Sequence, residues 1–172
     1  MDANEEEDMR PAEKGKIYLV GTGPGDPELL TMRAVRLLET ADVVFHDDLV
    51  SDEVLGLVQQ CALVTSVGKR CGRAKITQAG INELMIEAAR AGRSVVRLKS
   101  GDPLVFGRAG EEIVALRAAG ISFEVVPGVT AALAAGAMLG LLQLPTDTGR
   151  RLESLDRHGQ QQRGHCGSSC RQ

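Results

Sequence analysis

The chain has 172 residues, 43% hydrophobic and 25% charged, with a formal net charge of −3, the profile of a soluble globular protein with one full core. Six of its 23 acids fall among residues 1–14 against two of its 20 bases, so the remainder is near neutral and carries no footprint for nucleic acid. Four aromatics (Tyr18, Phe45, Phe106, Phe123) are too few for a base-stacking platform, no apolar run approaches a membrane span, and the acidic start MDANEEEDMR reads as neither a signal nor a transit peptide, so a cytoplasmic location is the expectation.

Residues 1–14 read as a solvated, disordered leader. Strand and helix patterns then alternate over 15–142. Ile17 to Val20 predicts a first strand, and Leu30, Ala34, Leu37, Leu38 and Ala41 recur at helical spacing. Val43 to His46 predicts a second strand, after which Ser51 is a helix N-cap with Asp52 and Glu53 in the first turn. Ala62 to Val67 predicts strand three. Thr77 caps a helix with an apolar face of Ile81, Leu84, Met85 and Ala88, closed by Gly92. Val95 to Leu98, a helix over Glu111 to Ala119 stopped by Gly120, Phe123 to Val126, and an Ala-rich helix begun by Thr130 complete the series. The fold class is α/β: a five-stranded, mainly parallel sheet with helices on both faces and its strand order left open.

Residues 143–172 lack apolar periodicity and read as a polar, disordered tail. Cys61, Cys71, Cys166 and Cys170 are expected to stay reduced in a cytoplasmic chain. His158, His165, Cys166 and Cys170 match no standard zinc spacing, so no metal site is expected.

Five turns carry the functional signal, each following a predicted strand, where open α/β sheets hold their ligands. Gly21-Thr22-Gly23-Pro24-Gly25-Asp26 lacks the Gly-Lys-Ser/Thr ending of a phosphate loop, and Pro24 and Pro27 delay its helix; a dinucleotide loop and a plain tight turn are both open. His46-Asp47-Asp48-Leu49-Val50 puts carboxylates at a strand end, as a solvated turn or as a general base. Val67-Gly68-Lys69-Arg70-Cys71-Gly72-Arg73 is a basic turn, a solvated face or a dock for an acidic ligand. Lys99-Ser100-Gly101-Asp102-Pro103-Leu104-Val105-Phe106-Gly107-Arg108, running on to Glu111 and Glu112, is the most specific string. Pro127-Gly128-Val129-Thr130-Ala131-Ala132 joins the last strand to its helix.

Together these segments, from about Lys16 to Gly140, resemble the tetrapyrrole methylases, in the branch that C-methylates uroporphyrinogen III. The resemblance implies an N-terminal methylase domain and transfer of methyl groups from S-adenosylmethionine to uroporphyrinogen III, giving precorrin-2 for siroheme or cobalamin. It implies Asp47 as the base and Lys69 as the proton donor, with Arg70 and Arg73 near substrate carboxylates. It implies contacts to S-adenosylmethionine from Pro24, Ser100, Gly101, Asp102, Val105, Thr130 and Ala131. The family loop usually reads Gly-Gly-Asp-Pro-Phe-Val-Phe-Gly-Arg; Ser100 stands for its first Gly and Leu104 for its first Phe, and a serine in a left-handed turn would be strained. Full-length relatives are expected to form homodimers and to continue into a second α/β domain, which Leu141 to Thr146 announces only faintly. Two further readings therefore stand beside the enzyme: a non-catalytic remnant or binding module that keeps the fold, and a nucleotide-binding domain.

Overall fold

The computed structural model describes residues 11–68 and 76–140. Five parallel strands form one sheet: β1 (Ile17–Gly21), β2 (Val43–His46), β3 (Leu63–Ser66), β4 (Val95–Lys99) and β5 (Phe123–Val126). Their spatial order is β3-β2-β4-β1-β5. Five α-helices alternate with them: α1 (Met32–Leu38), α2 (Asp52–Leu55), α3 (Gln78–Arg90), α4 (Ala109–Ala118) and α5 (Ala131–Met138). By packing, the chain divides into Met1–Ala134 and Ala135–Gln172, so the sheet and helices α1 to α4 belong to the first unit and the boundary falls within α5.

Side chains alternate across a strand, and here both sets are buried. Tyr18, Val20, Val44, Val96, Leu98 and Val126 point to one face and pack with Ala34, Leu37 and Leu38 of α1 and Val54 of α2. Ile17, Leu19, Val43, Phe45 and Val95 point to the other and pack with Ile81, Met85 and Ala89 of α3 and Leu116 of α4. Helices therefore cover both faces. The edge strands are less covered: Leu63 is 55% and Val64 42% exposed on β3, and Phe123, Glu124 and Val125 of β5 are only half-buried.

Local chemistry sets the helix ends. Thr31, Ser51 and Thr77 each accept a hydrogen bond from a first-turn N–H (Ala34, Val54 and Gly80), and α3 closes at Gly92 with φ +75. A single 3-10 turn, Pro27–Leu29, capped by the Asp26 carboxylate, precedes α1 and was not expected. The apolar face of α3 is also turned relative to expectation. Ala89 is buried at 3% exposure while Leu84 stands 37% exposed, because the helix meets both the sheet and α4 on its Ile81–Met85–Ala89 line.

Strand order positions the site. β1 lies between β4 and β5, and its helix α1 covers one face while α4, which follows β4, covers the other. The chain thus leaves adjacent strands β1 and β4 in opposite directions, the arrangement at whose carboxyl ends open α/β sheets place their ligand crevice.

Candidate active site

The floor of this crevice is main chain. Gly23 and Gly101 exchange hydrogen bonds across it (Gly23 N to Gly101 O 3.2 Å, Gly101 N to Gly23 O 2.8 Å), and Thr22 N donates to Lys99 O at 2.9 Å. Gly21, Gly101 and Gly128 meet backbone to backbone. A Cβ on Gly21 would sit 2.6 Å from Gly101 O and 2.7 Å from Gly128 N, so nothing larger than glycine fits between the three loops. Gly101 differs from the other two: its φ is +69, and a Cβ there would meet Ala131 N at 3.6 Å and the Thr130 Cα at 3.8 Å. The missing side chain leaves a niche between the β4 loop and the start of α5.

Asp102 ties these loops together. Its Oδ1 accepts from Leu104 N at 2.8 Å and its Oδ2 from Gly128 N at 3.1 Å. Both oxygens serve the protein's own backbone, so this aspartate shapes the niche. Ser100 is half-buried and outside the left-handed region, since the positive φ of the turn falls on Gly101. The strain expected from serine at this position is therefore absent. Left-handed backbone appears instead at Phe106 (φ 55) and Arg108 (φ 54), flanking Gly107 in an exposed loop that lifts Phe106 wholly into solvent. Arg108 pairs with Glu111 at 2.8 Å at the start of α4. That bond draws the exposed Glu111 carboxyl below its ordinary value.

On the α3–α4 side of the same edge lies a set of buried charges. The guanidinium of Arg97, 2% exposed, donates from Nη2 to Asp47 Oδ1 at 2.5 Å and from Nε to Glu112 Oε1 at 3.2 Å. Lys99, 3% exposed, donates to both Glu112 oxygens at 3.1 and 3.0 Å. Gln78 Nε2 of α3 adds a bond to Glu112 Oε1 at 3.1 Å. Glu112 itself is 0% exposed. Burial, then the nearby Arg97 cation, push the Lys99 ammonium below its ordinary 10.5, and Glu112 opposes them. Two cations and two carboxylates balance in charge, and only Asp47, its side chain 35% exposed, reaches solvent.

The expected residues can now be located. Asp47 follows β2, Ser100, Gly101 and Asp102 follow β4, Pro24 lies in the loop after β1, and Thr130 and Ala131 open α5, all at the carboxyl edge. Thr130 acts as a cap, accepting from Leu133 N at 3.3 Å. Val105 is 44% exposed, in the loop carrying Phe106. Lys69, Arg70, Cys71 and Arg73 lie outside the described residues, as do the proposed tail, its His and Cys cluster and most of the leader. Gly68 is described: a Cβ there would lie 2.6 Å from Asp48 N, so the β3 turn packs tightly on the β2 turn. Cys61 is a free, exposed thiol. Among the described residues no group of His, Cys, Asp or Glu could hold a metal, and no helix is long and apolar enough to cross a membrane.

Sequence reasoning overlooked Arg97, Lys99 and Glu112 as a unit. The signal was present: alternate cations inside Val-Val-Arg-Leu-Lys, on a strand otherwise apolar, need a buried partner.

Comparison with known proteins gives a consistent result. A family model described as Tetrapyrrole (Corrin/Porphyrin) Methylases matches residues 16–161. A siroheme synthase of Psychrobacter sp. (strain PRwf-1) is 57% identical over 131 residues, covering 76% of this chain and 27% of that protein. Among solved structures, uroporphyrin-III-C-methyltransferase from Thermus thermophilus aligns with a TM-score of 0.67 and 53% identity, over 74% of this chain and 54% of that one. A structure of the Thermus thermophilus enzyme complexed with S-adenyl homocysteine aligns with a TM-score of 0.62 and 49% identity, over 74% of this chain and 49% of that one. The chain spans about a quarter of the curated relative and about half of each solved chain.

Proposed function

Given that this chain belongs to the tetrapyrrole (corrin/porphyrin) methylase family, we propose that it takes part in C-methylation of uroporphyrinogen III with S-adenosylmethionine as donor. The observation that carries the reading is one edge of one sheet. There an ion-paired carboxylate, Asp47, and a glycine-only floor at Gly21, Gly101 and Gly128 flank the β1/β4 crevice.

The floor suits such a donor. A flexible ligand with amino, carboxylate, hydroxyl and purine groups needs backbone donors and acceptors at close range, and the niche at Gly101, bounded by Thr130 and Ala131, is the space that any Cβ would fill. Pro24, Ser100, Gly101, Asp102, Val105, Thr130 and Ala131 are the residues proposed to hold it. When bound, S-adenosylmethionine supplies an electrophilic methyl group on a sulfonium.

The chain's own residues do the remaining work. The loops after β1, β4 and β5 set the depth of the crevice and exclude water beneath it, which favours a reaction that consumes charge. Asp47, with Oδ1 held by Arg97, presents its second oxygen as the base that takes up the proton the tetrapyrrole releases after methylation; the methylated carbon itself becomes quaternary and has none to lose. Lys69 is proposed as the complementary proton donor, and Arg70 and Arg73 as ligands for the substrate's carboxylates. No covalent nucleophile is required, because the electron-rich pyrrole carbon is itself the nucleophile. The proposed setting is precorrin-2 formation, in a soluble cytoplasmic enzyme.

The test is transfer of a labelled methyl group from S-adenosylmethionine to uroporphyrinogen III by the chain, with calorimetry using S-adenosylhomocysteine as the binding probe. Transfer that depends on Asp47 supports the enzyme. Binding without transfer leaves the chain a binding module, and stabilisation by NAD without S-adenosylhomocysteine binding would move it to the nucleotide-binding class.

A further inference from the structure

Asp47 owes its orientation to residues that never reach the crevice. Arg97 projects from the middle of the sheet and Glu112 from α4, and neither is accessible, at 2% and 0% exposure. The guanidinium spans two carboxylates: Nε to Glu112 Oε1 at 3.2 Å and Nη2 to Asp47 Oδ1 at 2.5 Å, while Nη1 is fixed by Leu98 O at 3.0 Å. A planar fork held at three points has no rotational freedom left. Glu112 is in turn held by Lys99 and by Gln78.

Such a cluster is a poor way to gain stability. Desolvating two cations and a carboxylate costs several kcal/mol per ion, and well-packed apolar side chains of similar size commonly serve as well or better. The same sheet face is filled at Ile17, Leu19, Val43, Phe45 and Val95 by apolar residues, so an apolar solution was available a few ångströms away. The charges sit instead at the carboxyl end of the central strand, directly behind the one member that meets solvent. Position, more than stability, explains them.

We propose that Glu112 is a positioning residue for Asp47, acting through Arg97: the buried carboxylate on α4 fixes the guanidinium that in turn fixes the Asp47 carboxylate at the rim. The inference rests on the reading of Asp47 as the working base, but its first readout does not. Gln78 extends the line to α3, so two helices and two strands converge on the orientation of one side chain.

The experiment follows the Asp47 Cγ resonance by carbon NMR at pH 7 in the full chain, assigned by its disappearance in Asp47→Asn. Four proteins are compared: the unaltered chain, Glu112→Gln, Glu112→Asp, and Leu116→Ala. The last destabilises α4 from a fully buried position without touching the charges. The expected result is that Glu112→Gln shifts the Asp47 resonance and removes the slowly exchanging Arg97 Nε–H signal. Glu112→Asp, which keeps the charge but withdraws it by one methylene, shifts the resonance partway in the same direction. Leu116→Ala leaves it in place. In methyl transfer, Glu112→Gln lowers kcat about tenfold or more with KM for the tetrapyrrole unchanged. An Asp47 resonance unmoved by either Glu112 variant, or moved equally by Leu116→Ala, overturns the proposal. Should Glu112→Gln fail to fold, the comparison of Glu112→Asp with Leu116→Ala decides it alone. Absence of methyl transfer by the unaltered chain would count against the enzyme reading, and the NMR result would still stand or fall separately.

Discussion

Replacing Gly128 and Gly101 by alanine, one at a time, separates the construction of the crevice floor from its use. At Gly128 a Cβ would lie 2.9 Å from Gly21 C and Cα and closer still to Gly101 O, with rigid backbone on both sides. No side chain can yield, so the loops after β1, β4 and β5 must part. Overpacking of this kind costs about 1–3 kcal/mol. Parting the loops also breaks the paired Gly23–Gly101 hydrogen bonds, each worth about 1 kcal/mol. The total expected for Gly128→Ala is roughly 3–5 kcal/mol, a large share of a domain's stability. At Gly101 the added Cβ meets nothing closer than 3.6 Å, and the cost is that of a left-handed alanine at φ +69, about 1–2 kcal/mol. That Cβ occupies the proposed donor niche, so affinity for S-adenosylhomocysteine should fall at least about tenfold, equal to about 1.4 kcal/mol. Urea unfolding at constant m-value measures the first quantity and calorimetry the second. Gly128→Ala within about 0.5 kcal/mol of the parent would refute the close-packed floor. Gly101→Ala with parental affinity would refute the niche.

Further outcomes follow from other parts of the molecule. Asp47→Asn should lower methyl transfer about a hundredfold or more while affinity for S-adenosylhomocysteine is retained; undiminished transfer would remove Asp47 from the reaction. The Lys14 hydrogen bond, reinforced by Ser94 N and Oγ, holds the Asp42 carboxyl down from 3.8 to about 2. Because the folded value is depressed, the stabilisation is full above pH 3.8 and is lost as pH falls towards about 2. Unfolding free energy should therefore drop more steeply across that window in the parent than in Asp42→Asn, and equal slopes would contradict the assignment. On α3, Met85→Ala should cost about 2–5 kcal/mol and Leu84→Ala less than about 1 kcal/mol, measured by urea unfolding; the reverse order would mean that the helix is turned.

What was legible in the sequence depended on how local its cause was. Val43 to His46 and Phe123 to Val126 emerge as strands at the predicted residues, because short β-branched runs between polar turns have few alternatives. Thr77 and Ser51 cap as expected, since a cap needs only its own first turn. Strand order was not legible: the neighbours of β1 are set by packing between residues far apart in the chain. The same holds within the site. Asp47 and Gly101 were singled out from the turns that carry them, whereas the link from Asp47 through Arg97 to Glu112 crosses three elements: the cations of β4 signal that a buried partner is needed but not which residues supply it. Ser100 shows the converse error. Its strain was inferred from a family glycine, but the turn places its left-handed residue one position later.

The strand order also has a consequence for how the chain is made. β2 has its partner β3 next in the chain, Val43 pairing with Leu63, but both neighbours of β1 lie far downstream: Ile17 pairs with Val95 and with Phe123. During synthesis at about 5–20 residues per second, Ile-Tyr-Leu-Val has no strand to join for roughly 4–16 s. In that interval the most apolar strand of the sheet is a free edge on a nascent polypeptide, while β2 and β3 can already pair. The centre of the sheet therefore closes late, when β4 slots between β2 and β1. A ribosome that stalls before Lys99 leaves exposed a segment suited to capture by chaperones or to pairing with another nascent copy.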